Sequence, residues 1–289
     1  MVVLSLDMAM SMKTRVDPGF RLVMPGRAEN VAVVRQAVGG VVDVLELEES
    51  RLLDINAAVS EACNNVVIHA YDGREGPMRV QLQIEPNQLE VTVSDDGVGI
   101  RPGPPDEELE IQGLGLSVIQ TLTDHTEFLG GVSQGTEIRM AFALDARPST
   151  ATHETAASEV EVDQPPGEFR IAVSAGPLAA PVLGRVIAML AARAGFSLEG
   201  ISEAQLITDA LAARAPGVVM GGLIQLGIDR SEGQLAVRVG PLRDGGATEL
   251  VDSSALGDLP PLLERLTRGH RVEGFEHGEL LSLTLENPD

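Results

Sequence analysis

What this chain lacks narrows it before any motif is read. It has no tryptophan, one tyrosine and six phenylalanines, so aromatic residues make up only 2% and any core must be aliphatic. Basic residues are scarce: 21 Lys and Arg stand against 43 Asp and Glu, a net charge of −22. A surface of that sign does not follow a phosphate backbone, so no direct contact with nucleic acid is expected, and a partner with a basic surface suits it better. The single cysteine, Cys63, excludes an internal disulfide and a zinc cluster. No apolar run approaches the roughly eighteen residues of a membrane span. The opening stretch Met1-Val2-Val3-Leu4-Ser5-Leu6-Asp7 has no basic segment before its apolar one. No signal peptide is therefore expected, and a cytoplasmic location is. A Gly-Lys-Ser/Thr phosphate loop is also absent, so a Walker-type nucleotide site is not supported.

What is present reads as folded protein. The chain is 44% hydrophobic and 22% charged over 289 residues, enough for one large domain or two of about 140. The stretch from Ala57 to Tyr71 is rich in alanine and free of Gly and Pro, with apolar residues recurring at three and four, and predicts a helix. Glu61 and Asn65 lie four apart on it and project from one face. A carboxylate and a carboxamide so placed suit a general base and an oxygen ligand for a hard cation; equally, they suit a solvated face. The chain further on decides between these.

Upstream, Phe20 to Pro25 alternates like a first strand, and Asn30 is placed to cap a helix running from Val31 towards Leu45. Downstream, Met78–Ile84 and Leu89–Val93 alternate as two strands of a hairpin turning at Pro86-Asn87. The second strand leads into Asp95-Asp96-Gly97-Val98-Gly99, where a carboxylate past a strand end can accept a hydrogen bond from a buried polar ligand. The polar, proline-rich stretch Arg101–Glu108 predicts a mobile loop. Gln112-Gly113-Leu114-Gly115-Leu116 then predicts the start of a helix, whose free N–H groups make a phosphate site. Gly135-Thr136 leads into one more strand, to Phe142.

Four features thus stand in fixed order: Glu61-x-x-x-Asn65, Asp95-x-Gly97-x-Gly99, Gly113-x-Gly115-Leu116 and Gly135-Thr136. In that order they resemble the GHKL ATPase superfamily, and most closely the anti-sigma factor serine/threonine kinases of bacterial stress-response and sporulation switches. The run from Val59 through Asn65 to His69-Ala70-Tyr71 is similar to the N-box of those kinases. The resemblance implies an α+β, two-layer sandwich of the Bergerat type over 18–145, binding ATP and Mg2+. Carried over residue by residue, it makes Glu61 the general base towards a substrate hydroxyl and Asn65 the Mg2+ ligand. Asp95 would accept the adenine amino hydrogen with Thr136 beside it. Gly97 and Gly99 would shape the pocket wall, and Gly113 and Gly115 would cradle phosphates in a mobile lid. His69 is expected to pack near the site, and Cys63 in the core. The partners implied are a STAS-type anti-anti-sigma protein, which would be phosphorylated, and a sigma factor held inactive. Two other functions are open to the same pocket: a nucleotide-gated binding protein without catalysis, and a histidine-kinase-like catalytic module. His153-Glu154 has only a faint likeness to the start of a phosphoacceptor helix.

Residues 146–168 are rich in Ala, Thr, Ser, Pro and Glu and predict a solvated linker. After it, 169–289 repeats the order of the first part: a strand from Phe169, a helix from Pro181, a second helix from Ser202 to Ala215, strands Leu223–Asp229 and Gln234–Val239, a helix at Leu262–Leu266 and a strand Gly278–Leu285. Laying Thr208-Asp209-Ala210 over Ser60-Glu61-Ala62 puts Asp209 in the place of Glu61 and Ala213 in that of Asn65. Gly240-Pro241-Leu242-Arg243 replaces the aspartate turn, and Gly257-Asp258-Leu259 keeps at most one lid glycine. A degenerate second copy that no longer binds nucleotide is expected. Such a copy could fill a dimer position within one chain, where family members otherwise form homodimers.

Overall fold

The computed structural model describes residues 18–99, 107–131, 134–144, 164–254, 261–275 and 278–288, and of 107–114 the backbone only. The rest of the Arg101–Glu108 loop, His153-Glu154, most of the linker and Gly257-Asp258-Leu259 lie outside these residues.

Alternation builds the sheet. Gly19–Pro25 (β1), Pro77–Ile84 (β2) and Gln88–Asp95 (β3) bury one set of side chains, among them Leu22, Met24, Val80, Leu82, Val91 and Val93. The other set, including Arg79, Gln81, Glu90 and Thr92, is polar and partly exposed, as expected of a sheet covered on one face only. His125–Gly130 (β4) and Thr136–Ala143 (β5) complete the first half. The second half supplies Phe169–Ser174 (β6), Leu223–Ser231 (β7), Gln234–Leu242 (β8), His270–Phe275 (β9) and Gly278–Glu286 (β10). Among the described residues, ten strands form one sheet in the order β4-β5-β3-β2-β1-β6-β7-β8-β10-β9, with antiparallel pairing throughout. The order reads the same from either end. Each half therefore has one topology, and the two meet where β1 pairs with β6, Leu22 facing Ile171. Even the sequence repeats there: Phe20-Arg21-Leu22 returns as Phe169-Arg170-Ile171.

The helices lie in a row over the apolar face. Val31–Leu45 (α1) packs against Glu49–Asn65 (α2) on one side and Ala179–Arg193 (α4) on the other. Glu107–Leu122 (α3) covers α2, and Leu198–Arg214 (α5) covers α4. Two short helices, Gly246–Asp252 (α6) and Leu262–Arg265 (α7), stand in the second half where α3 stands in the first.

The α1–α4 crossing depends on Gly40. A Cβ there would lie 2.8 Å from the Pro181 carbonyl oxygen and from Val182 Cα, both backbone atoms that cannot step aside. Glycine inside a helix costs up to about 1 kcal/mol relative to alanine, so its presence marks close approach rather than helix preference. Gly40→Val is expected to lower stability by about 2 kcal/mol through overpacking, despite removing a glycine, read as a lower urea midpoint at unchanged slope. Around the crossing, Asp43 pairs with Arg185, and Arg193 donates to the Glu29 carbonyl.

Several expectations need correcting. Asn30 does precede α1 but does not cap it. Its backbone is already helical (φ −75°, ψ −16°), which turns the side chain away from the first N–H groups. The side chain is instead buried, donating to the Pro25 carbonyl at 2.9 Å and accepting from Arg193 Nη1 at 3.3 Å. The helix expected to end at Tyr71 is α-helical only to Asn65 and widens into a π-turn over Val66–Ala70. The end of the expected solvated linker is not free: Pro165 is buried, Arg238 donates to the Pro166 carbonyl at 3.0 Å, and Glu168 N donates to Asp229 at 2.8 Å. Strands β4 and β9 and helix α6 were not foreseen.

The overlay of the two halves also shifts by one residue. Both α2 and α5 have 17 residues, and laid start on start they match in burial: Ile55, Ala58, Val59, Ala62 and Cys63 fall on Ala204, Ile207, Thr208, Leu211 and Ala212. Ala210, not Asp209, then stands opposite Glu61, and Arg214, not Ala213, opposite Asn65. Both candidate side chains are missing from α5.

Candidate functional site

The site is built where α2 ends. The π-turn after Asn65 adds a residue to the last helical turn, a feature frequent at functional sites. It ends at Ala70, whose carbonyl accepts from Val98 N at 2.8 Å, binding the helix end to the turn after β3. That turn has no room for side chains where it touches the helix. A Cβ on Gly97 would lie 2.0 Å from the Ala70 oxygen, and Gly99 has φ +73° with the Gly131 oxygen at the same 2.0 Å. These two glycines therefore let the turn lie against its neighbours through backbone contact.

Asp95 ends β3 on its inward face and is 7% exposed. Its Oδ1 accepts from Gly97 N at 2.8 Å, and Thr136, its cross-strand partner, adds backbone and side-chain hydrogen bonds. Burial outweighs these bonds and pushes the carboxyl above the ordinary carboxylate range. Thr136 is thus where the sequence reading put it, beside Asp95.

Glu61 and Asn65 are both half-buried, on the side of α2 that α3 covers. The meeting point is Gly115: a Cβ there would lie 3.1 Å from Glu61 Oε2 and 3.8 Å from Asn65 Oδ1. One carboxylate oxygen and one amide oxygen converge beneath Gly115, which carries no side chain to cover them. They are hard donors of the kind that suit Mg2+, with the coordination otherwise left to water and phosphate. Among the described residues no cluster of three His, Cys, Asp or Glu could hold a metal by itself. The donor set and the cradle at Gly115 fit a nucleotide with its cation.

Here one expectation fails. Gly113 and Gly115 were expected at a helix start, but α3 begins at Glu107, so both lie inside it. Glu107-Glu108-Leu109-Glu110-Ile111 is strong helix-forming sequence with acidic residues in the first turn, which extends the helix back past the glycines. Their N–H groups are drawn into the helix rather than presented at its end.

Other residues escaped the sequence reading. Tyr71 Oη donates to the Pro77 carbonyl at 2.5 Å and accepts from Asp96 N at 3.0 Å, and Arg79 holds Asp96 in a fork at 2.8 and 2.6 Å. Arg79 keeps the Asp96 carboxyl below its ordinary range. This set braces the Asp95 turn from behind. His69 lies exposed on the π-turn. Cys63 is wholly buried as expected, and burial pushes its thiol up to about 12, which keeps it unreactive. A shallow cleft of about 460 Å³ between Val23, Pro25, Pro77, Pro166 and Arg170 touches none of the candidate residues.

Comparison with known proteins adds three findings. Residues 24–142 match the model of the histidine kinase-like ATPase domain. The serine-protein kinase RsbW of Bacillus thuringiensis (strain Al Hakam) is 34% identical over 118 residues, covering 37% of this chain and 74% of that protein; its counterpart in Bacillus mycoides (strain KBAB4) is 33% identical over the same length and shares. Among solved structures, the RsbU and RsbW domains of Rv1364c from Mycobacterium tuberculosis give 20% identity and a TM-score of 0.35, covering 47% of this chain and 35% of that one. No helix among the described residues is long and apolar enough to cross a membrane.

Proposed function

The chain belongs to the family of the RsbW serine-protein kinases, and from that premise we propose that it transfers phosphate from ATP to a serine or threonine of a small anti-anti-sigma protein, and that it holds a sigma factor inactive through another surface, in the cytoplasm. The observation that carries the reading is the convergence of Glu61 and Asn65 on Gly115, with Asp95 buried nearby behind Gly97. Bound ATP with Mg2+ supplies the phosphoryl group and the leaving ADP. Glu61 takes the proton of the attacking hydroxyl as that oxygen bonds to phosphorus. Asn65 offers its amide oxygen to the cation. Asp95 accepts the adenine amino hydrogen with Thr136 alongside, Gly97 and Gly99 keep the wall open, and Gly113 and Gly115 let α3 lie close over the phosphates.

The second half, 169–289, takes no nucleotide in this proposal. Ala210 and Arg214 stand opposite Glu61 and Asn65, and with β8 laid start on start over β3, Pro241 falls in the place of Asp95. Near the place of Thr136, at the start of the last strand, Glu279 accepts from Gly245 N at 3.0 Å and Ala247 N at 3.2 Å. The chain's own carboxylate fills that place. The half serves instead as the permanent partner of the first across β1–β6 and α1–α4, an internal pair in place of a homodimer.

Incubation of the whole chain with ATP-Mg2+ and candidate anti-anti-sigma proteins, followed by mass mapping, tests the reading. One nucleotide per chain and one phosphorylated serine or threonine on the partner are expected. Bound ATP with no transfer to any candidate would leave a nucleotide-gated binding protein, and two nucleotides per chain would overturn the inert second half.

A further inference from the structure

We propose that Arg51 and Asp124 are positioning residues of the nucleotide site: together they clamp the exit of α3 so that Gly115 stays over Glu61 and Asn65. The inference deepens the kinase reading and rests on it for the identity of the ligand.

Arg51 lies in the first turn of α2, at the opposite end from Glu61 and Asn65. Its Nη2 donates to Asp124 Oδ2 at 2.5 Å and to the Ala143 carbonyl at 3.0 Å. Its guanidinium carbon lies 5.6 Å from the centre of the Phe142 ring, which is wholly buried. Asp124 follows α3 by two residues and, although exposed, is held by hydrogen bonds from both its carboxylate and its backbone. Its Oδ2 also accepts from Ala143 N at 2.7 Å, and its own N–H donates to the Ala141 carbonyl at 2.9 Å. The Ala143 N–H and the Arg51 guanidinium keep its carboxyl below the ordinary range. One residue earlier, Thr123 bonds back to the Ile119 carbonyl at 2.9 Å and to Thr126 at 2.5 Å.

The geometry is a lever. The exit of α3 meets the first turn of α2, while Gly115, midway along α3, meets the last turn of α2, so the two helices run antiparallel. Gly115 precedes Leu122, the last residue of α3, by seven positions, roughly 10 Å of helix, so a tilt of about 10° at the clamp moves Gly115 by roughly 2 Å. A displacement of about 1 Å is enough to matter at a reacting centre.

The second half provides the contrast. Opposite Arg51 stands Gly200, with Pro288 and Asn287 packed where a Cβ would be. Among the described residues no long helix packs on α5 there; the short α7 does. That half keeps the same sheet and paired helices without the clamp. The clamp accompanies α3, not the fold.

The test uses the whole chain with Arg51→Ala, Arg51→Lys, Asp124→Asn and the Arg51→Ala/Asp124→Asn double variant. ATP-Mg2+ affinity is measured by equilibrium binding, KM and kcat by phosphate transfer, and Tm by thermal unfolding. Each of Arg51→Ala and Asp124→Asn is expected to raise Kd and KM for ATP-Mg2+ by about five- to twentyfold, with a smaller change in kcat. The double variant is expected to be no worse than the weaker single, because both act through one clamp. Arg51→Lys recovers part of the affinity, since an ammonium keeps the charge but not the flat guanidinium that lies over Phe142. Arg185→Ala, which breaks the comparably exposed pair with Asp43, leaves Kd unchanged. The proposal is overturned if both singles bind within twofold of the parent, if their losses add, or if Arg185→Ala loses affinity equally. If Arg51→Ala does not fold, Asp124→Asn decides, because asparagine retains an oxygen for Ala143 N. Absence of transfer by the parent would sink the kinase reading but leave the Kd comparison standing.

Discussion

Glu61→Gln is expected to bind ATP-Mg2+ within about twofold of the parent chain and to transfer phosphate at least about tenfold more slowly. A general base is worth about 10²–10⁴-fold, so a loss in that range follows where chemistry limits turnover. The substitution isolates one property. Glutamine keeps the length and shape of the side chain that lies where a Cβ on Gly115 would come within 3.1 Å, so the closeness of α3 to α2 is retained. What it removes is the oxygen able to take a proton. Single-turnover measurement with saturating ATP-Mg2+ separates the chemical step from product release. Turnover equal to the parent's would remove Glu61 from the mechanism and leave the pocket as a binding site.

The second large effect belongs to Asp95→Asn. The carboxylate is nearly inaccessible and shared between Gly97 N, Thr136 and the proposed adenine amino group, all of them donors. An amide places an NH2 among these donors, and one of them must go unpaired. A buried donor without a partner costs about 1–3 kcal/mol, so ATP affinity should fall by about 10–100-fold. Guanine presents an acceptor where adenine presents its amino group, so the same variant should discriminate less between ATP and GTP. The pH dependence has a definite sign. Burial raises the Asp95 pKa, and the ionised form is the better acceptor, so parent affinity should weaken as pH falls through a range above that of ordinary carboxylates. The asparagine variant has nothing to titrate there and should stay flat. Titration calorimetry of both proteins with ATP-Mg2+ across that range reads the difference; undiminished ATP affinity in the variant would take Asp95 out of adenine recognition.

How much of this was legible beforehand differed by element, for physical reasons. The strands β2 and β3 were plain because half of each faces helices and half faces water, which writes strict alternation into Met78–Ile84 and Leu89–Val93. Edge strands β4 and β9 were missed because most of their residues are exposed and no face selects apolar side chains. The candidate residues were legible because their chemistry demands particular side chains in a particular order. Their supports were not: Arg79, Tyr71 and Asp96 meet only through the β2–β3 pairing, in which Arg79 faces Ser94. The overlay of α5 on α2 slipped by one because alanine-rich helices match nearly as well at neighbouring shifts. Burial, absent from the letters, decides between them. The position of Gly113 and Gly115 was misjudged because glycine was read as a helix boundary, while the five preceding residues favour continuing the helix.

The meeting of β1 with β6 has a consequence for how such a protein can change. In an assembly of two identical subunits every substitution arrives twice, once on each side of the axis, and an interface residue must suit its own image. Here the facing positions are separate codons. Gly40 lies against Pro181, Asp43 reaches Arg185, and the buried Asn30 is met by Arg193, none of which is its own mirror. The association is also immune to dilution, because the partners cannot drift apart. One side is free to lose a constellation of residues while the other retains it, and the joint between them can be asymmetric without leaving either side unmatched.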